Sequence, residues 1–236
     1  MVDFNDEIQR GMYRHTTSHI MAQAVKRLWP ETKLAIGPKI DDGFYYDFDR
    51  AEAFTAEDLK AIEAEMKKII KENLVLERFE LPREEAIKYM QEKNEPFKVE
   101  LINDLPEDAV ISFYKQGEFV DLCAGPHIER TGEIKAFKLT SAAAAYWRGD
   151  SNRETLQRIY GTSFPTKEML DEYLTRLEEA KKRDHNKIGR ELEYFTTVDY
   201  IGQGLPIMLA KGSKVVQILQ RWVEDEEAKR GCILTK

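Results

Sequence analysis

Three of the four histidines in the sequence stand in two short clusters, and Cys123 belongs to one of them. His15 and His19 are four positions apart, so on a helix both imidazoles leave the same face about one turn apart. Cys123 and His127 stand in the segment DLCAGPH, where a β-prone run enters a Gly-Pro loop. Loops at strand ends usually display functional groups. The spacing therefore predicts one shared polar site.

Two chemistries are open to these four side chains. Two imidazoles on a helix, with a thiol and a third imidazole, can form a tetrahedral zinc site, here through His15, His19, Cys123 and His127. The same side chains can equally form a metal-free hydrolytic site, in which imidazoles act as bases and hydrogen-bond partners. The spacing does not choose between the two.

Other polar residues are weaker candidates for the same site. Asp121 precedes Cys123 by two positions, so strand alternation places both side chains on one face. Lys98 lies in the half-apolar segment EPFKVEL, where a lysine could lean into a cleft, although a lysine facing solvent is the ordinary interpretation. The aromatic residues of GFYYDFD (43–49) could fill a core or line a pocket. His185 lies in a charged stretch and is interpreted as a surface residue.

A series of helices and strands must bring these residues together. Apolar periodicity predicts a helix over 12–29 that ends before Pro30, and a capping box formed by Thr55 and Asp58 opens a second helix. Together the elements predict an α+β fold, with a mixed or antiparallel sheet packed with helices, followed by a long linker helix. The remaining predicted elements are hairpins turning at 41–43 and at Gln116-Gly117, strands over 75–81 and 135–141, a short helix from Pro82 to about Lys93, and a charged helix over 167–193 interpreted as a solvated connector.

Composition sets limits without indicating a function. The chain has 236 residues, 42% hydrophobic and 33% charged, which suits one large domain or one domain with a smaller piece. No apolar run reaches the roughly 20 residues that span a bilayer, and no signal peptide is expected at the N-terminus. With two distant cysteines, a reducing cytosol is expected rather than a disulfide framework. The net charge of −7 argues against nucleic-acid binding by bulk electrostatics, but a local pocket for the end of a nucleic acid is still allowed.

Several long motifs resemble the editing domain of the threonyl-tRNA synthetase family. HTTSHIMAQAVKRLWPETKLAIGPKIDDGFYYDFD is similar to its opening helix, strand and hairpin, and FVDLCAGPHI is similar to its D-x-C-x-GPH loop. AYWRGDSNRETLQRIYG (145–161) resembles a further signature of the family. GLPIMLAKGSKVVQILQRWVEDEEAKRGCILTK resembles the first motif helix of the class II catalytic domain. The alanine run at 142–145 departs from the glycine that many members carry.

The resemblance implies a division of the chain and a chemistry. Residues 1–165 would be an editing domain with the fold common to threonyl- and alanyl-tRNA synthetases, 166–193 a linker helix, and 194–236 the start of the class II catalytic domain. Threonine and serine differ by one methyl group, which gives only about 10- to 200-fold discrimination in binding. The implied function is proofreading by hydrolysis of mischarged seryl-tRNA(Thr), while the parent ligase would attach threonine to its tRNA using ATP.

The resemblance also implies the site residues and their roles. His15 and Lys98 would position or activate the attacking water, and Asp121 would bind the substrate ammonium. His19 and His127 would hold the terminal ribose and the serine. Cys123 would be a pocket wall rather than a nucleophile, because attack requires a thiolate. In their matching motifs, Gly37 and Tyr46 would help to shape the serine pocket.

The implied partners are the acceptor end of tRNA(Thr) and the serine that it carries. The protein is expected to be cytoplasmic, with no membrane partner, and its parent is expected to be a homodimer. Editing is expected to require no cofactor, with zinc at His15, His19, Cys123 and His127 left open. ATP and zinc are expected in the rest of the catalytic domain, so this chain is not expected to charge tRNA. Two alternatives stay open, a zinc-dependent deacylase of the alanyl-tRNA kind and a non-catalytic tRNA-binding or dimerisation module.

Overall fold

The computed structural model describes residues 2–202 and 204–233. The chain forms two compact units, Met1–Glu172 and Tyr173–Lys236. The helices are α1 (Glu7–Leu28), α2 (Ala56–Glu72), α3 (Arg83–Glu92), α4 (Pro96–Asp104), α5 (Lys167–Lys182), α6 (His185–Glu191) and α7 (Ala210–Lys229). The strands are β1 (Lys33–Leu34), β2 (Lys39–Ile40), β3 (Gly43–Asp49), β4 (Leu76–Glu80), β5 (Ser112–Gln116), β6 (Phe119–Leu122), β7 (Ala136–Tyr146), β8 (Thr155–Phe164), β9 (Phe195–Thr196) and β10 (Ile207–Met208).

Helix α1 is the central element of the first unit. It begins after Asp6, whose carboxylate accepts hydrogen bonds from the backbone N–H groups of Ile8 and Gln9. It ends at Trp29, before Pro30. Every residue from 16 to 25 is buried. This helix therefore holds its side chains, polar ones included, inside the protein.

Two antiparallel sheets surround the helix. The larger has the strand order β1-β3-β8-β7, with β2 also paired to β3, and the smaller has the order β4-β5-β6. The main core contains residues of α1, α2 and the larger sheet, among them Ile20, Phe44 and Ile62. A second core joins α3 and α4 to the smaller sheet through Met90 and Phe113. The fold is the predicted α+β arrangement of antiparallel sheets packed with helices.

The elements agree with the sequence-based predictions at several points and differ at others. The hairpins at 41–43 and Gln116-Gly117 are present, and Gly117 has the positive φ of +60° that its turn requires. The capping box at Thr55 is also present. Helix α1 begins before the predicted residue 12, because Asp6 caps it earlier. Strand β7 extends beyond the predicted 135–141, while α4 and β8 were not predicted as elements.

The predicted linker helix over 166–193 consists of two consecutive helices, α5 and α6. They are separated at residues 183–184, where the Asp184 carboxylate accepts from the Asn186 backbone N–H and starts a new helix. The two compact units divide within α5, between Glu172 and Tyr173. The domain limits at 165 and 193 stay predictions. Within the described residues, no helix is both long and apolar enough to cross a membrane.

Buried Glu95 fixes the position of α4, which carries Lys98. Its carboxylate accepts a hydrogen bond of 2.7 Å from the Leu34 backbone N–H and one of 2.9 Å from the Lys26 Nζ. Burial raises the pKa of Glu95, against the opposing effects of Leu34 and Lys26. The carboxylate thus joins the start of α4 to the last turn of α1 and to β1.

Replacing this carboxylate should destabilise the fold. Glu95→Ala leaves the buried Leu34 N–H without its acceptor and removes the partner of Lys26. The free energy of unfolding is expected to fall by about 2–3 kcal/mol, measured by urea denaturation. The matched control is Glu92→Ala, an exposed glutamate with a long 4.0 Å ion pair, which should change stability by less than about 0.5 kcal/mol. Equal effects of the two changes would contradict this role of Glu95.

Candidate active site

Four elements contribute to a cavity of about 620 Å³ in the first unit. Helix α1 contributes His15 and His19, α4 contributes Lys98, and β6 with the loop after it contributes Asp121 and Cys123. Tyr46 of β3 and His127 of the loop lie directly behind this wall and are buried. The structure thus brings together all six side chains that were predicted to form the site.

Three imidazoles and a thiol form the first cluster of the site. The Cys123 Sγ lies 3.4 Å from the Nε2 of His15 and 3.2 Å from the Nε2 of His127. The rings of His15 and His19 are both packed on that of His127, with centroid distances of 4.2 and 4.3 Å. The two short sequence clusters are therefore one cluster in space, as their spacing predicted.

A buried ion pair forms the second cluster. The Lys98 Nζ lies 2.5 Å from Oδ1 of Asp121, and both side chains are 3% exposed. Tyr46 donates a 2.5 Å hydrogen bond from its hydroxyl to the other carboxylate oxygen and accepts one of 3.0 Å from Lys98. His19 Nε2 stands 3.6 Å from the same carboxylate. The ordinary interpretation of Lys98 as a solvent-facing lysine was wrong.

The loop 123–127 is held in one conformation by backbone contacts. Gly125 has a φ of +72°, and a Cβ there would lie 2.4 Å from the Tyr114 hydroxyl oxygen, so a side chain is excluded on both counts. Its N–H donates to the Cys123 Sγ at 3.2 Å. Ser112 donates its hydroxyl to the Cys123 carbonyl. These contacts aim the thiol at the imidazoles.

Burial makes the cluster electrically neutral apart from the ion pair. It lowers the pKa of His15, and lowers that of His19 well below the ordinary value, with Lys98 adding to both effects. The pKa of His127 is also lowered, first by burial and then by the neighbouring His19 and His15. Burial raises the pKa of the Cys123 thiol to about 12, with Asp121 adding to the rise. At neutral pH the site thus holds three neutral imidazoles and a protonated thiol.

Gly37 lines the cavity, and the buried Tyr46 ring packs directly behind it. A Cβ on Gly37 would lie 2.0 Å from the Tyr46 ring, so no side chain fits at this position. Ser18 of α1 donates to the Gly37 carbonyl at 2.9 Å and fixes the loop against the helix. The two residues predicted to shape a pocket are therefore adjacent.

Two residues at the site were not among the predicted ones. Thr16 is fully buried and bonds His127 Nδ1 at 3.1 Å, and the Tyr114 ring packs edge-on against His127 at 4.4 Å. A threonine next to His15 carries no sequence signal for this contact, because its partner lies more than a hundred residues away. His185 is exposed on α6 in the second unit, as predicted.

The donor atoms of the first cluster fit a zinc ion in type and spacing. One ligand atom from each of His15, His19, Cys123 and His127 lies within 4.8 Å of the others. Three imidazoles and a thiolate are ordinary zinc ligands in a tetrahedral arrangement. A thiol with a raised pKa must lose its proton on binding zinc, and this cost works against the metal.

Comparison with known proteins finds one matching family domain and close relatives of nearly the whole chain. The family described as "Threonyl and Alanyl tRNA synthetase second additional domain" matches residues 111–160. Threonine–tRNA ligase of Clostridium botulinum (strain Alaska E43 / Type E3) is 63% identical over 233 residues, covering 99% of this chain and 36% of the relative. That of Acetivibrio thermocellus is 62% identical over 231 residues, covering 98% and 36%. The chain belongs to the threonine–tRNA ligase family.

The family domain that matches this chain covers only part of the site. The matched domain at 111–160 contains Asp121, Cys123 and His127, whereas His15 and Lys98 lie outside it. The chain spans about a third of the length of these ligases. The roles of the individual site residues stay predictions.

The raised thiol pKa predicts that Cys123 resists alkylation. Only the thiolate reacts, so iodoacetamide at pH 8 should modify Cys123 at least about 100-fold more slowly than an ordinary exposed thiol. The exposed Cys232 is the control within the same molecule. Peptide mass spectrometry of timed samples gives both rates. Alkylation of Cys123 at the rate of Cys232 would show that its thiolate is accessible and would contradict the neutral cluster.

Proposed function

We propose that the site hydrolyses the ester of mischarged seryl-tRNA(Thr), as the proofreading domain of a threonine–tRNA ligase. The observation that carries the proposal is the contact of a buried Lys98–Asp121 ion pair with neutral imidazoles at the wall of one cavity. Taking a charged pair out of water costs desolvation energy that the attraction of the pair often does not recover, and perturbed groups that converge on a cavity are typical of catalytic sites.

The substrate offers groups that complement this cavity. Its ammonium can bind Asp121, because each carboxylate oxygen has a second lone pair beside the one used by Lys98 or Tyr46. His19 lines the cavity, and among the described residues nothing bonds its buried Nδ1, so a hydroxyl of the ribose or the serine would supply the partner that this atom lacks. These contacts would hold the ester carbonyl beside His15.

Hydrolysis then needs a base and a positive charge. Neutral His15 takes a proton from water while the water oxygen bonds to the ester carbon, and the carbonyl develops negative charge. Lys98 is the positive group at the wall that can stabilise this charge. The ester C–O bond breaks, and the proton passes to the ribose oxygen. The raised pKa of Cys123 excludes the thiol as nucleophile at neutral pH.

The contact between Gly37 and Tyr46 supplies the basis of selectivity in this proposal. Gly37 lines the cavity, and the Tyr46 ring packs so closely behind it that this part of the wall cannot move back. We propose that this wall meets the serine side chain and leaves no space for the methyl group of threonine. A second pocket of this kind removes the serine that the synthetic site cannot reject by size alone.

The second candidate is a zinc-dependent deacylase, which the four converging donor atoms favour. His15, His19, Cys123 and His127 would hold the ion, and zinc would supply Lewis-acid activation of bound water. We favour the metal-free site, because a zinc ion bound by all four donors would have no open position for water.

Assembly is part of the same proposal. Helix α7 carries exposed apolar side chains, among them Ile218, Leu219 and Trp222, each more than half exposed. We propose that the parent ligase is a cytoplasmic homodimer that binds tRNA(Thr), and that it attaches threonine using ATP. A non-catalytic dimerisation or tRNA-binding role for the present chain is the outcome if the site is inert.

Deacylation assays test the proposed reaction. The 236-residue chain should hydrolyse seryl-tRNA(Thr) at least about tenfold faster than threonyl-tRNA(Thr), followed by loss of radiolabelled amino acid from the tRNA. His15→Ala removes the proposed base and should lower the rate about 100-fold or more. His185→Ala, an exposed histidine in the other unit, is the matched control and should leave the rate unchanged. Equal rates for the two esters, or full activity of His15→Ala, would overturn the assignment.

Metal removal separates the two candidate mechanisms. A metal-free site predicts that chelator treatment leaves seryl-tRNA(Thr) hydrolysis unchanged, and that added zinc inhibits by occupying His15 and its neighbours. Rates are measured before and after dialysis against a chelator, with the metal content determined by mass spectrometry. Loss of activity on dialysis and its recovery with one zinc per chain would favour the zinc-dependent deacylase instead.

A further inference from the structure

Thr16 contacts the site from inside α1, and its hydroxyl has two partners. Its Oγ1 lies 3.1 Å from the Nδ1 of His127 and accepts a 3.1 Å hydrogen bond from the Ile128 backbone N–H. The other ring nitrogen of His127 lies 3.2 Å from the Cys123 Sγ. The His127 ring is thus bonded at both nitrogens, by a hydroxyl on one side and by a thiol on the other.

The proton of the Thr16 hydroxyl determines the direction of these bonds. A hydroxyl has one hydrogen to donate, and the Ile128 N–H already uses one of its lone pairs. Within the described part of the chain no carbonyl accepts from Thr16, unlike Thr17, whose hydroxyl bonds the Tyr13 carbonyl. The remaining acceptor is the Nδ1 of His127. Thr16 therefore donates to this nitrogen.

The direction continues through the next two side chains. A neutral imidazole that accepts at Nδ1 carries its proton on Nε2, so His127 donates to the Cys123 Sγ. Gly125 also donates to this sulfur. The thiol proton is then free to point at the His15 Nε2, 3.4 Å away. A neutral imidazole that accepts at Nε2 carries its proton on Nδ1, so this is the arrangement expected for His15.

We infer that Thr16 is a positioning residue that orients a one-way chain of hydrogen bonds, from Thr16 through His127 and Cys123 to His15. This chain of hydrogen bonds leaves the Nε2 of His15 unprotonated, with its lone pair facing the Cys123 thiol. Ring packing against His19 and Tyr114 at 4.3 and 4.4 Å holds the His127 ring between the two partners. The proton arrangement follows from geometry alone, whereas its consequence for catalysis rests on the proposed function.

This series of hydrogen bonds gives His15 and His127 different proton positions. The one lone pair on His15 Nε2 accepts from the thiol, which is a weak donor, so a water that replaces the thiol proton there can give up its own proton. His127, in contrast, is a donor at the same ring position. Zinc would require a lone pair on His127 Nε2, so the proton would have to move to Nδ1. Thr16 would then face two N–H donors, and its hydroxyl proton would need a new acceptor. Thr16 thus favours the metal-free state of the site.

Imidazole nitrogen NMR of the 15N-labelled chain tests the inference directly. The wild-type protein should show His127 protonated at Nε2 and His15 protonated at Nδ1, with the signals assigned by their loss in His127→Gln and His15→Gln. Thr16→Val keeps the shape but removes the hydroxyl, and His127 should then lose its preference for Nε2. Thr16→Ser should restore it. Thr17→Val is the matched control, because Thr17 bonds Tyr13 and Ser163 instead, and it should leave both tautomers unchanged.

Activity measurements test whether the tautomer of His127 affects the rate of the proposed reaction. Thr16→Val should lower kcat for seryl-tRNA(Thr) about tenfold with little change in KM, and Thr16→Ser should recover most of it. A wild-type His127 protonated at Nδ1, or a Thr16→Val spectrum identical to wild type, would overturn the inference. If Thr16→Val does not fold, the wild-type spectrum alone decides. The predicted tautomers in a wild-type protein that cleaves neither ester would support the role of Thr16 and overturn the proposed function.

Discussion

The fold depends on the burial of a helix that is largely polar. Residues 16–25 of α1 are inside the protein without interruption, and an unpaired polar group there would cost about 1–3 kcal/mol. Surrounding elements therefore supply partners for several of these polar groups. Strand β8 brings Ser163 to Thr17, and β5 brings Gln116 to Gln23. Hydrogen bonds as well as apolar packing thus hold β5 and β8 against the helix.

The same helix explains why the site combines charged and neutral groups at close range. His15 and His19 are held against the loop 123–127 in surroundings from which water is excluded, so their imidazoles stay neutral. Lys98 and Asp121 form an ion pair beside them, in which each charge balances the other. Electrostatic interactions are stronger in such surroundings than in water. A small change in the charge of a bound molecule would therefore change its interaction energy with every charged or polar group of the site.

Local signals in the sequence were sufficient for much of this architecture. The apolar period of α1, the capping box at Thr55 and the glycine turn at 117 each act within a few residues, and all three are present. Helix α4 was missed because it is short and its apolar residues belong to two different cores, so no clear period appears. Strand β8 was missed because inner and outer residues are both largely buried. Lys98 was ambiguous because only tertiary structure places Asp121 beside it.

The continuous burial of residues 16–25 of α1 has a consequence for how the length of this segment can vary among related sequences. Adding or deleting one residue rotates everything beyond it by about 100° around the helix axis. Such a change before residue 16 would turn Thr17 from Ser163, Gln23 from Gln116 and His19 from Asp121 at once. Substitutions can be absorbed one at a time, but a change of length cannot. The spacing of α1 should therefore vary far less than its composition.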